Sequence, residues 1–437
     1  MSLQLSPMEQ MFFIARDPGK SGTIQLLVEL YEEVDFERMK EAAEAALAFF
    51  PRLHEKIVLT GEGKLVLRPN DLPAPVFEEP GKPLLLGSAE TNGYLFAVKV
   101  SGREISFSMS HAIADADLAH SFLRQLMYEY FCLSGEEIPD EGLVYTDPVP
   151  ADHLLSLGEA IDAFEKQNPA PAGENEEPPE TAVPMPPAVE IYSEWPLFGT
   201  PYSFVADVTW NNEELMRTVK ELNATPFSFL SAVIAHAAGR AADTDGKVIR
   251  ESYGYSLRKL LNVPSQCVFT VPAEICYELC SSVPETLREI RSRMETAGKL
   301  EKLLKAGKTY DMYAELLLNG MDMHNIVPLT EKLRARWQNT AAETFYFANP
   351  GIMRFPSRVQ EKICSFSPLP EPQKKVTDLY SFVYNGRGTL RTVVDSTEEH
   401  LLKHVSSILK DFGINCTYSE IGKVQADHVD VLQFERE

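Results

Sequence analysis

The run Ile105-Ser106-Phe107-Ser108-Met109-Ser110-His111-Ala112-Ile113-Ala114-Asp115-Ala116-Asp117-Leu118 decides how this chain is read. Ile105, Phe107 and Met109 alternate with Ser106, Ser108 and Ser110, the period of two of a strand with one face on a core. That period directs His111 toward the apolar side at the end of the strand. The pattern then changes. Leu118, Phe122, Leu126 and Tyr130 share one face of a helix, with Asp115 and Asp117 at its head, where a carboxylate caps free amides. A strand, a short turn and a helix thus carry the only H-x-x-x-D in the chain.

Outward from this unit, Asp35 is placed to cap a helix with Phe36, Met39, Ala43, Ala46 and Phe50 at helical spacing, ended by Pro51. A hairpin pairs Ile57 to Leu59 with Leu65 to Leu67 around Gly61-Glu62-Gly63, and another pairs Leu95 to Val100 with Ile105 to Met109. Prolines 169, 171, 178, 179, 184, 186 and 187 then crowd a stretch where neither helix nor central strand can persist. The chain is accordingly divided into 1–165, a linker or exposed loop at 166–195, and 196–437. The last part should open with a strand near Phe204 to Trp210, then helices begun at Asn211 or Asn212 and at Thr225-Pro226. Further strands are expected over Arg250 to Leu257, Glu343 to Phe347, Leu379 to Tyr384 and Leu390 to Val394, with helices over Pro284 to Met294, Tyr310 to Leu318 and Glu398 to Leu409. The fold class is mixed α/β.

The 437 residues suffice for two cores. A formal charge of −23 argues against a nucleic-acid partner, which would require Lys and Arg surfaces. Six scattered cysteines fit a reducing compartment, and Cys276 and Cys280 lack the two further ligands of a metal site, so no metal is expected. No basic-then-apolar leader and no run of about 18 apolar residues appears, so a cytoplasmic protein without a membrane partner is expected.

Several landmarks follow one another along the chain: Leu5-Ser6-Pro7-Met8-Glu9, Phe50-Pro51-Arg52-Leu53, the His111 to Asp115 motif, Tyr255-Ser256-Leu257-Arg258-Lys259-Leu260-Leu261, Phe347-Ala348-Asn349-Pro350-Gly351, and Tyr384-Asn385-Gly386 through Leu390. In this order they resemble the superfamily of chloramphenicol acetyltransferases, alcohol acetyltransferases and condensation domains of peptide synthetases. Ser110 stands where condensation domains carry a first histidine, as is common in members that use acyl-coenzyme A. Ala116 stands where a glycine usually follows the aspartate.

The resemblance implies two related α/β sandwich domains with mixed sheets and a tunnel between them, where donor and acceptor meet at His111. It implies His111 as the base, and Asp115 as a structural partner of Arg258 from the other half. Asn349 or Asn385 would be donors to an oxyanion or substrate. Acyl-coenzyme A would be a co-substrate, no cofactor would be resident, and a monomer acting on a small-molecule hydroxyl or amine is expected. Two other readings stand beside this one: a condensation-type enzyme fed by a carrier-protein thioester, and a noncatalytic member that binds a metabolite or scaffolds a partner.

Overall fold

Ser6 and Glu9 open helix α1 (Pro7–Ile14) as a reciprocal cap: Glu9 N donates to Ser6 Oγ at 3.2 Å, and Ser6 N donates to a Glu9 carboxylate oxygen at 2.8 Å. In the computed structural model the described residues are 5–14, 22–79, 84–150, 154–168, 186–191, 202–263, 266–318, 343–369, 377–394, 401–425 and 435–436. After α1 come β1 (Thr23–Leu30), α2 (Phe36–Leu47), β2 (Glu55–Leu59), β3 (Leu65–Pro69), β4 (Val76–Glu78), β5 (Phe96–Ser101), β6 (Glu104–Ser110), α3 (Ala116–Cys132) and α4 (Leu157–Gln167). Asp35 caps α2 by accepting from Arg38 N, as its sequence position suggested.

The later part comprises β7 (Tyr202–Asn211), α5 (Asn212–Glu221), α6 (Pro226–Ala241), β8 (Ile249–Ser256), α7 (Arg258–Leu261), β9 (Thr270–Tyr277), α8 (Val283–Ala297) and α9 (Leu300–Leu318). It continues with β10 (Phe345–Ile352), α10 (Ser357–Gln360), β11 (Ile363–Leu369), β12 (Asp378–Tyr384), β13 (Arg387–Val394), α11 (Leu401–Asp411), β14 (Cys416–Gln425) and β15 (Glu435–Arg436). Asn211 caps α5, and Thr225 caps α6 with Pro226 in its first turn. None of the described helices is long and apolar enough to cross a membrane.

Two mixed sheets organise the molecule. The smaller has the order β11-β1-β6-β5-β4 and the larger β14-β7-β13-β12-β10-β8-β9, while β15, β2 and β3 form a side sheet. In the larger sheet β8, β10 and β12 run parallel and the outer pairings are antiparallel. Helices α2 and α3 cover the smaller sheet through Met39, Ala46, Phe122 and Leu126, and α6 and α11 cover the larger through Val233, Ala237, Leu402 and Val405. A third apolar cluster joins Met8 of α1 and Ile161 of α4 to Leu257, Phe269 and Leu303.

All strands of the larger sheet lie beyond the proline-rich stretch. One strand of the smaller sheet does too: β11 pairs antiparallel with β1, Val28 opposite Phe366. Met353, Phe355, Ile363 and Phe366, grouped by sequence with 196–437, therefore pack in the first core. Arg391 of β13 reinforces the crossing. It grips Asp207 of β7 bidentately at 2.8 and 2.9 Å and donates to Pro368 O of β11 at 2.9 Å. Part of the expected linker is also packed, since Ala188 bridges to Val248 and Val189 is buried in the second core. Positions 169–185 and 192–195 of that linker, and 398–400 of the last expected helix, lie outside the described residues.

Within the second core, Glu251 of β8 is fully buried, accepting from Ser231 Oγ at 2.6 Å and Tyr277 Oη at 3.1 Å. Burial pushes its carboxyl up to about 7, against the pull of those two hydroxyls.

Candidate active site

Strand β6 lies between β1 and β5, and its last residue, Ser110, pairs with Thr23. The chain then turns. His111 N–H donates to Gly22 O just before β1, fixing the histidine backbone to the neighbouring strand. Ser108 and Ser110, expected to face solvent, are buried, because this end of the sheet is covered on both faces. Ser110 Oγ instead accepts from Ala112 N at 3.3 Å inside the turn.

The turn ends at Asp115, whose extended backbone and side chain cap α3 through Leu118 N at 3.1 Å. Ala116 is the first helical residue and is absent from the positive-φ positions, so its backbone is one that alanine adopts without strain.

The other carboxylate oxygen of Asp115 reaches the second half. It accepts from Arg258 Nη1 at 2.8 Å, Phe269 N at 2.9 Å and Thr270 Oγ1 at 3.3 Å. Arg258 is held in turn. Its Nη2 donates to Cys267 O at 2.6 Å, its guanidinium carbon lies 5.4 Å from the centre of the Phe269 ring, and Nη1 also meets Asp117 at 3.3 Å. Ser256 Oγ donates to Asp117 at 2.8 Å, adding a further tie from β8 to the head of α3.

Burial opposes the charge on both partners, and the pair overcomes it. Arg258 and the backbone amides of Phe269 and Leu118 hold the Asp115 carboxyl below the usual carboxylate range. Asp115 and then Asp117 raise Arg258 in the same way. Each charge is compensated only while the other is present.

His111 sits in a different balance. Burial lowers its pKa, outweighing the nearby Asp115 charge and the carbonyls of His111 and Ala114, which favour the imidazolium. Nδ1 is buried. The ring of Phe12 from α1 stacks on the imidazole, centroids 5.2 Å apart and planes 21° apart. A neutral, partly buried imidazole is a proton acceptor near neutrality.

A second buried pair joins the two segments that precede the histidine motif. Arg52 Nη2 donates to Glu9 at 2.6 Å with both side chains 1% exposed, and Val268 N from the second half donates to the other Glu9 oxygen at 3.3 Å. Burial opposes the Arg52 charge, and the Glu9 carboxylate raises its pKa nonetheless. Both segments stood out in the sequence, and their contact did not.

Among the expected site residues, His111, Asp115 and Arg258 are brought together. Asn349 and Asn385 are used differently. Asn349 Oδ1 accepts from Gly351 N at 3.0 Å, closing a local turn where the β10–β12 register slips. Asn385 and Gly386, with φ of 46° and 74°, form the two-residue tip of the β12–β13 hairpin, and exposed Asn385 accepts from Gln360 Nε2 at 2.7 Å.

Solved structures place this architecture. The nonribosomal peptide synthetase FmoA3 matches with a TM-score of 0.59 at 14% identity, over 94% of this chain and 42% of that one. This chain thus spans less than half of that protein. TRI101 of F. graminearum, solved with coenzyme A and T-2 mycotoxin, matches with a TM-score of 0.58 at 11% identity over 96% and 99% of the two chains. TRI3 trichothecene 15-O-acetyltransferase of Fusarium sporotrichioides matches with a TM-score of 0.59 at 12% identity over 94% of each. This chain shares its fold with those structures. No family model matches the sequence, and no curated protein matches it. The junction of β6, α3 and α7 lies where the two α/β halves are tied to each other.

Proposed function

We propose that this protein transfers an acyl group from a thioester, acyl-coenzyme A, to the hydroxyl or amine of a small molecule, with His111 as general base. The observation that carries this reading is the half-buried, neutral imidazole at the end of β6, beside an Asp115–Arg258 pair that ties its turn to the second half.

In the reaction, the imidazole takes the proton of the acceptor hydroxyl or amine as that atom attacks the thioester carbonyl. The tetrahedral intermediate collapses, the carbon–sulfur bond breaks, and the proton passes from the imidazolium to the leaving thiolate. No acyl-enzyme is formed. Asp115 takes no proton: its carboxylate is saturated by Arg258 and backbone amides, which suits a support and not a second base. The likenesses to TRI101, solved with coenzyme A, and to an O-acetyltransferase support a coenzyme A donor and a small acceptor.

The likeness to a peptide synthetase favours a second reading, a carrier-protein thioester as donor. The net charge of −23 works against it, because carrier domains are usually acidic. Thiol release from acetyl-, butyryl- and longer acyl-coenzyme A with pooled alcohols and amines tests the proposal. Release by the wild type that is lost in His111→Ala supports it. Release unchanged in His111→Ala removes the histidine from the chemistry, and no release from either protein removes coenzyme A as donor.

A further inference from the structure

Asp117, His120 and Arg124 follow one another along one face of α3, while Leu118, Phe122 and Leu126 on the other face are buried in the first core. The outer two are tied across the seam between the halves. Asp117 accepts from Ser256 Oγ at 2.8 Å and from Arg258 Nη1 at 3.3 Å, and Arg124 Nε donates to Arg354 O at 2.7 Å. His120, between them, meets the second half only through its ring edge, with the Phe366 ring of β11 centred 5.8 Å away. It makes no hydrogen bond to a described residue, and neither ring nitrogen is sealed from solvent. Asp117 and Arg124 stand about 10 Å apart along the helix axis, so the seam is pinned on either side of an opening at His120.

Burial drives the His120 pKa down to about 4; Asp117 pulls it up, Arg124 pushes it down, and Asp115 adds a weaker upward pull. A ring that feels this burial and still has open nitrogens lines an internal space. At neutral pH it is uncharged, so one nitrogen donates and the other accepts. Large apolar side chains stand close to both ties: Leu260, two residues after Arg258, is 39% exposed, and Ile352, two before Arg354, is 51% exposed. The half-exposed Asp117 carboxylate disfavours a phosphate-bearing molecule here, and the Arg124 guanidinium is engaged by the carbonyls of Arg354 and Leu143. The charge of Asp115 acts on both His120 and His111, which places the opening beside the proposed base.

We propose that His120 is a specificity-determining residue for the proposed acyl transfer: it hydrogen-bonds an oxygen of the acceptor other than the reacting one, and that acceptor is an uncharged molecule with an apolar body. This rests on the reading of the protein as an acyltransferase with a small-molecule acceptor. The donor, with its phosphates, enters elsewhere.

The test compares wild type, His120→Leu and His120→Gln in the full-length protein, with acetyl-coenzyme A as donor. The probe acceptors are hexanol, octanol and decanol, and the diols with a second hydroxyl at the far end of each chain. Each diol adds one oxygen to the same apolar body. His120→Leu should lower the diol-to-alcohol ratio of kcat/KM about 10-fold, the effect of one hydrogen bond, with KM for acetyl-coenzyme A unmoved. His120→Gln, which keeps a donor and an acceptor, should restore the ratio to within about threefold. In parallel, NMR of histidine-labelled wild type, with the His120 signal assigned from His120→Gln, follows titration with octanediol alone and with coenzyme A alone. The diol should shift that signal, and coenzyme A should leave it in place.

An unchanged ratio in His120→Leu overturns the proposal. So does a rise in KM confined to acetyl-coenzyme A, which would give the opening to the donor. Equal loss of the ratio in His120→Leu and His120→Gln means packing alone and overturns it too. If the wild type releases no thiol with any acceptor, pooled amines included, the acyl-transfer reading fails by itself. The NMR titration then still decides whether His120 binds an oxygen-bearing chain, and a signal unmoved by the diol overturns that as well.

Discussion

The carboxylate of Asp115 and the guanidinium of Arg258, 143 positions apart in sequence, meet at 2.8 Å with only 1% of the aspartate side chain exposed. One oxygen of that carboxylate caps the helix after His111, and the other binds the second half of the chain. The link is both a cap and an interdomain tie, so its loss should register in stability as well as in rate.

Asp115→Ala and Arg258→Ala should each destabilise the protein by about 3–5 kcal/mol, because each strands a buried partner. Urea unfolding at pH 7 checks this, and an unchanged midpoint in both variants would sink the proposed role. The pH dependence has a definite sign. A carboxyl held low in the folded state stabilises above its unfolded value of about 3.9, and that contribution is lost as pH falls through the folded value. Asp115→Asn should therefore flatten the acid limb of the stability curve.

The proposed base should show itself in the rate profile. Because burial lowers the His111 pKa, kcat/KM should fall on the acid side with a midpoint below the ordinary imidazole value of about 6.5. His111→Ala should lose about two to four orders of magnitude in rate. Its thermal unfolding should change little, since no ion pair is broken. An acid midpoint at or above the ordinary value would speak against a half-buried neutral base.

Glu9 and Arg52 offer a second stability test with a different logic. Glu9→Ala should cost about 3–5 kcal/mol by leaving Arg52 charged in a dry site. The double variant Glu9→Met with Arg52→Met should cost less than the sum of the singles. A double-mutant cycle in chemical denaturation reads the coupling, and strict additivity would mean that the pair carries no energy of its own.

Glu251 should make the protein less stable as pH rises. With its carboxyl near 7 when folded and about 4.3 when unfolded, the native state binds the proton more tightly. Its contribution is present at acid pH and declines across that interval, by at most about 4 kcal/mol. Glu251→Gln should narrow the gap in unfolding free energy between pH 5 and pH 8, whatever constant cost the amide adds. An unchanged gap would place the carboxyl outside this titration.

Much of the site was legible because it is local. The strand, turn and helix around His111, the Asp35 cap and the Thr225-Pro226 helix start all follow from short-range periodicity and capping chemistry. Arg258 entered through its landmark segment, and its Nη1 donates to Asp115 at 2.8 Å. The gaps have physical causes. Strand β1 carries Leu26 and Leu27 in succession, and Ser108 and Ser110 look solvent-facing, because a sheet covered on both faces loses its simple alternation. The Glu9–Arg52 contact spans 43 positions, and no local rule pairs residues at that distance. Asn349 and Asn385 showed the opposite ambiguity, since an asparagine that builds a turn reads the same as one that donates to a substrate.

Strand β11 has a bearing on how the molecule comes into being. Its partner β1 is near the start of the chain, and Ile363–Leu369 near the far end. During synthesis the smaller sheet therefore waits with an open edge until more than three hundred further residues have left the ribosome. A nascent chain halted after the proline-rich stretch would expose that edge, together with the apolar positions that Phe355 and Phe366 later cover. Assembly of the first half is thus a late event, completed by the second, and separately expressed halves should associate in order to finish folding rather than fold first and then dock.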